Sequence, residues 1–137
     1  LPFSVPFTEK HGGGGSCAVY HPELNLTVGA VHLGLWKKLR AQKLSYTLNF
    51  GLGEKHMSRR LIFMGDFNED HPTLFSETLS LQDCSLPSFP NNKLRIIPGM
   101  KRGLDHIFID NEYQVSEVRT LEGLSDHLLL YCDVIER

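Results

Sequence analysis

Apolar residues run without interruption from Leu61 to Met64 and then stop on Gly65, Asp66, Phe67 and Asn68, in the stretch "LIFMGDFNED". A short apolar run of this kind, extended to "RRLIFMGDF", predicts a buried strand. Ahead of it, "SCAVYHPELNLTVGAVHL" reads as two strands around a turn at His21, Pro22 and Glu23. From Leu35 to about Phe50, Leu35 with Leu39 and Leu44 with Leu48 recur at helical spacing, joined by Trp36 and Tyr46, between Lys37, Lys38, Arg40 and Lys43. This pattern predicts an amphipathic helix, closed by Gly51 and Gly53. Pro72 opens a second short helix to about Leu81, with Asp70 as a candidate cap.

Residues 85 to 102, "SLPSFPNNKLRIIPGMKR", hold three prolines and predict a long surface loop. Strands at "LDHIFI", near "YQVSEV" and at "DHLLLYCDV" close the chain. "GGGGS" at 12 to 16 predicts a flexible loop, and because a strand follows it rather than a helix, it is a poor phosphate-binding loop. The order of elements implies an α/β or α+β layered fold in a single domain.

The 137 residues are 41% apolar, enough for one ordinary core. Fourteen basic and sixteen acidic side chains leave a formal charge of −2, which excludes a protein-wide field for nucleic acid or acidic lipid. Any phosphate recognition must therefore be local. Cys17, Cys84 and Cys132 are odd in number and widely spaced, which argues against a disulfide framework and a structural zinc site and for a reducing, cytoplasmic location. No apolar stretch approaches the roughly 20 residues of a membrane span, and the first residues lack the order of a signal peptide.

Polar chemistry gathers at strand ends: His32 in "GAVHLGL", Asp66 and Asn68 in "MGDFNE", Asp105 in "RGLDHIFI", Asp126 and His127 in "GLSDHLLL". Singly, each has a plain reading. His32 reads as an ordinary core or surface histidine, Asp66 to Asn68 as an Asx turn, Asp105 as a strand-edge charge and Asp126 as a turn residue. Together they can converge at one end of a sheet whose strands hold them in place. Such a set suits metal-assisted hydrolysis of a phosphoester, and carboxylates without paired thiolates favour a hard ion, Mg²⁺ or Mn²⁺. The remaining histidines, His11, His21, His56, His71 and His106, fall in loops or beside turns and are expected at the surface.

These motifs, "HLGL", "GDFN", "LDHIF" and "SDHL" in that order, resemble the endonuclease/exonuclease/phosphatase superfamily of the deoxyribonuclease I-like fold from about Gly15 to the carboxyl end. "HLGL" before a basic helix and "SFP" before "RGLDHIFI" resemble bacterial-type members described as metal-dependent hydrolases. The resemblance implies that Asp66 orients or deprotonates water, that Asn68 and His32 contact phosphate, that His127 contacts phosphate with Asp105 fixing its tautomer, and that Asp126 and Asp66 serve the metal. Leu129 stands where family members carry proline. The family fold is a four-layer αββα sandwich whose first half supplies an Asn and a metal-binding Glu. No segment before Gly15 can supply them, so the chain is expected to be a portion of that sandwich, its amino-terminal half missing. Its inner sheet face would then be exposed, favouring self-association.

The expected substrate is a phosphoester: a nucleic acid, a nucleotide, a phospholipid head group or a sugar phosphate. Lys93, Arg95, Lys101 and Arg102 form a basic stretch that reads as solvated or phosphate-binding. The alternatives are a non-catalytic phosphate-binding or interaction module and an inactive fragment.

Overall fold

A computed structural model describes residues 3–6, 14–51, 60–91 and 99–137. Its elements are β1 (Phe3–Pro6), β2 (Gly14–His21), β3 (Leu26–Leu33), α1 (Lys37–Gly51), β4 (Arg60–Asp66), a π-helical turn (Leu74–Thr78), β5 (Gln82–Asp83), β6 (Asp105–Ile109), β7 (Tyr113–Leu121) and β8 (Leu129–Glu136). Six strands form one sheet in the order β1-β2-β3-β4-β6-β5, and β7 with β8 forms a separate antiparallel pair. Among the described strands only β3 and β4 pair in parallel, with α1 between them as the crossover.

The period of two along each strand divides the sheet into two faces. On one face Val31, Leu33, Leu61, Phe63 and Phe108 pack with Leu44 of α1 and with Phe67, Phe75 and Leu81. Phe63, Phe67, Phe75 and Phe108 are fully buried, each contributing about 1.5–3 kcal/mol of burial. On the other face Ile107 and Ile109 of β6 meet the β7–β8 pair through Tyr113, Val115, Leu130 and Val134. Arg60 ties this second layer down, ion-pairing with Glu112 and Glu136. The helix–sheet–strand-pair arrangement is the layered α/β architecture expected.

Several expectations are corrected. Gly14 and Gly15 of the glycine run lie in β2. The helix starts at Lys37, leaving Leu35 and Trp36 exposed ahead of it, while Arg40 and Lys43 are buried. Arg40 turns inward because its guanidinium donates to the Leu35 carbonyl at 2.6 Å and faces Glu69 at 3.5 Å. The helix expected from Pro72 to Leu81 is the five-residue turn at 74–78, and Asp70 caps nothing, being held by Arg102 and the Gly103 N–H instead. Strands β1 and β5 were not expected. Residues 85–91 are a packed segment, with Ser88 and Asn91 buried, rather than a surface loop. His106 is fully buried, not at the surface. His21 and His71 are exposed as expected. Gly53, Lys93, Arg95, His11 and His56 lie outside the described residues.

All three cysteines are free thiols. Burial, with Cys132 alongside, pushes the Cys84 thiol up to about 11, which keeps it unreactive between the two layers. Among the described residues no helix is long and apolar enough to cross a membrane.

Candidate active site

Strand register builds the site. His32 of β3 pairs with Asp66 of β4, and Asp66 pairs in turn with Asp105 of β6. Three side chains distant in sequence thus stand in one row across the end of the sheet. His127, from the turn between β7 and β8, completes the set by placing Nδ1 2.7 Å from Asp105 Oδ2.

The abrupt end of the β4 run now has a cause. Phe67 is fully buried against Phe75, Phe108 and His106, and its N–H donates to the Leu104 carbonyl at 2.9 Å. Alternation therefore turns Asp66 and Asn68 away from the core on either side of it. Gly65 has φ +140°, and a Cβ there would stand 1.9 Å from the Val31 carbonyl oxygen, so only glycine lets β4 lie this close to β3. Asn68 adopts φ +51°, a conformation asparagine tolerates, and its N–H donates to Asp66 Oδ1 at 2.8 Å in an Asx turn. The plain reading of these residues is thus realised alongside the functional one. Asn68 Nδ2 donates to the Leu33 carbonyl at 2.5 Å, fixing the amide beside the row.

Asp66 Oδ2 faces His32 Nε2 at 3.7 Å and His127 Nε2 at 4.0 Å. These gaps are too long for direct hydrogen bonds and suit a shared water or oxyanion. Burial pushes the Asp66 carboxyl above its ordinary value and Asp105 adds to the push, opposed by the Asn68 N–H and the two histidines. Burial alone would lower the His127 imidazole, but the Asp105 hydrogen bond and the charges of Asp105, Asp66 and Asp126 together raise it. A more basic carboxylate thus faces a more readily protonated imidazole.

Asp66, Asp105 and His127 each offer a ligand atom within 4.8 Å of the others. Two carboxylates and an imidazole suit a divalent ion by donor type. Asp105 Oδ2 is committed to His127 and Asp66 Oδ1 to Asn68, while Asp66 Oδ2 faces the two histidines. A free carboxylate oxygen beside an imidazole is a donor set that a divalent cation accepts. Asp126 is exposed, accepts from its neighbour Ser125 at 3.2 Å and does not join the cluster.

Sequence reasoning missed the residues that hold these groups in place. The Ser88 hydroxyl accepts from the Asp105 N–H at 3.2 Å, and its carbonyl accepts from Leu128 N–H at 2.7 Å. The Phe89 ring packs on His127 with centroids 5.0 Å apart. Asn91 clasps the turn that carries His127: its N–H donates to the Asp126 carbonyl at 2.6 Å and Nδ2 to those of Gly123 and Ser125 at 3.2 and 3.0 Å. The one available signal was "SFPN", a polar and aromatic run that reads as a loop unless its tertiary partners are known. Beneath the row, His106 Nδ1 lies 3.0 Å from Asp83 and Nε2 lies 2.8 Å from the Glu69 carbonyl, anchoring the chain after Asn68.

The family model described as Endonuclease/Exonuclease/phosphatase family matches residues 3–127. The chain belongs to this family. Its fold is similar to that of a functionally unknown conserved protein from Enterococcus faecalis V583, at 18% identity and TM-score 0.73, over 100% of this chain and 66% of that one. It is also similar to D. rerio TDP2 complexed with single strand DNA product, at 16% identity and TM-score 0.67, over 98% of this chain and 67% of that one. The human Nocturnin catalytic domain with bound sulfate anion is similar at 18% identity and TM-score 0.62, over 100% of this chain and 59% of that one. The chain thus spans about three fifths to two thirds of the length of these similar structures. No curated protein matches it.

Proposed function

We propose that this chain serves hydrolysis of a phosphoester with a divalent cation, Mg²⁺ or Mn²⁺. The observation that carries the reading is the register-aligned row of His32, Asp66 and Asp105, with His127 locked to Asp105 and its Nε2 4.0 Å from Asp66 Oδ2. A bound ion would neutralise the phosphate charge, held by Asp66 with waters and substrate oxygens completing its shell. Asp126 would act on it only through water.

Asp66 orients the attacking water and accepts its proton as the oxygen–phosphorus bond forms. His127, whose Nδ1–H donates to Asp105, donates from Nε2 to the phosphate in its protonated form, which the Asp105 carboxylate stabilises. His32 and Asn68 give further contacts to the phosphate oxygens, Asn68 using the amide hydrogen not bound to Leu33. The bond to the leaving oxygen then breaks on the far side of phosphorus. Phosphoester substrates under this reading include nucleic acid strands, phospholipid head groups and sugar phosphates, and the free thiols fit a cytoplasmic setting.

The test is hydrolysis of bis(p-nitrophenyl) phosphate with and without Mg²⁺ or Mn²⁺, beside Asp66→Asn. Metal-dependent turnover that falls on the order of 10²-fold or more in the variant is expected. A folded chain with no turnover under either metal overturns the catalytic reading and leaves a phosphate-binding module or an inactive fragment.

A further inference from the structure

Beside the row lies a cleft of about 410 Å³ that none of the roles above uses. Its walls are Asp70 and His71 on one side, Ser85 to Pro87 on a second, and Lys101 to Gly103 on a third. The volume lies in the range of small-ligand sites. Its charge is cationic: Lys101 and Arg102 outnumber Asp70, and His71 stands exposed at the edge.

The cleft is also built to hold its shape. Arg102 Nε and Nη2 both lie 2.9 Å from Asp70 Oδ2, and Asp70 Oδ1 accepts the Gly103 N–H at 3.0 Å. The guanidinium is therefore fixed in direction while its side chain stays 41% exposed, which leaves donors for a ligand. Lys101 is exposed and, among the described residues, has no acidic partner.

The chain ties it to the catalytic row as well. Asp70 is two residues beyond Asn68, and Gly103 two before Asp105, so each pair of Cα atoms is at most about 7 Å apart. Arg102 exchanges backbone hydrogen bonds of 2.8 and 3.0 Å with Phe89, the residue whose ring packs on His127. The backbone of one cleft wall and the His127 ring thus share a support.

We propose that this cleft is a second anion subsite, which receives a phosphate of the substrate other than the one being hydrolysed. This rests on the phosphoester reading. Two anion sites tied together by the chain favour substrates with two phosphates, either neighbouring phosphates of a nucleic acid strand or the two groups of a sugar bisphosphate.

The test separates the cleft from the chemistry by measuring binding in EDTA, where no turnover occurs. The probes are 5′-fluorescein tetrathymidylate, read by anisotropy, and fructose 1,6-bisphosphate as its competitor. Lys101→Glu is expected to weaken at least one probe roughly tenfold. For the oligonucleotide it should reduce the slope of log K against log salt by about 0.7, the value of one phosphate contact on a single strand. Lys38→Glu on the exposed start of α1 is the charge-matched control and should leave both affinities as they are. If only the oligonucleotide is weakened, the second phosphate is a strand neighbour; if only the competitor is, it belongs to a small bisphosphate. Binding by Lys101→Glu equal to wild type for both probes, or an equal loss in Lys38→Glu, overturns the subsite. Hydrolysis of bis(p-nitrophenyl) phosphate, an ester with no second phosphate, by the wild type reads the chemistry apart from the cleft. Failure of the wild type on that ester would count against the hydrolase reading alone.

Discussion

Gly65 and His106 show how single residues set the site. Gly65→Ala puts a methyl group into the Val31 carbonyl and strains a φ of +140°, so β4 must separate from β3 and carry Asp66 away from His32. The expected cost is about 3 kcal/mol, seen as a lower urea midpoint, and an unchanged midpoint would show that β3 yields easily. His106 sits between two acceptors, the Asp83 carboxylate and the Glu69 carbonyl, so both ring nitrogens are satisfied only in the protonated form. Burial works against that charge, but the Asp83 bond and charge with the Glu69 and Gly103 carbonyls outweigh it and raise the pKa above the ordinary 6.5. A raised folded pKa means that this stabilisation is fully present below pH 6.5 and is lost as pH rises through the folded value. Urea unfolding across pH 5.5 to 8.5 should show that decline in the wild type, and a flatter profile is expected for His106→Gln.

At the scale of elements, the segment 85–91 works as a brace between β6 and the turn at 123–128. It carries no metal-ligating group, yet Ser88 and Asn91 are as buried as the aromatic core. Asn91→Ala removes two carbonyl partners from the turn that bears His127, while the backbone bond to Asp126 remains. The loss of buried hydrogen bonds is worth about 1–3 kcal/mol. Its particular signature is a fall in turnover larger than any fall in melting temperature, because the turn loosens before the core does. Equal turnover in the variant would mean that Phe89 and Asp105 suffice to place His127.

For the whole molecule, the uncovered half of the sheet matters most. The β7–β8 pair lies over β6, while Cys17, Val19, Ala30 and Met64, on the face that carries His32 and Asp66, are exposed. Leu121 and Leu129, a cross-strand pair of the smaller layer, are 51% and 61% exposed. An apolar surface of this kind favours association. Sizing chromatography with light scattering should show dimers or larger species that shift toward monomer in Val19→Asp with Leu129→Lys. A monodisperse monomer of the unaltered chain would count against this.

Strands β2, β3, β4, β6, β7 and β8, the helix α1 and the strand ends that carry the polar set were legible in the sequence, because each depends on neighbours along the chain, whereas β1, β5 and the short turn at 74–78 were not. "GDFN" was legible as both turn and site because its alternation is local, with one buried ring between two outward polar groups. The tertiary structure alone decided the rest. The row of His32, Asp66 and Asp105 depends on hydrogen-bond register between strands 34 and 39 residues apart. The burial of His106, Ser88, Asn91 and Arg40 depends on partners brought from distant segments, since a polar residue enters a core only where its hydrogen bonds are met. For the same reason His127 stands in the cluster and the adjacent Asp126 does not: the Asp105 carboxylate draws the imidazole inward, while the exposed Asp126 carboxylate bonds its neighbour Ser125.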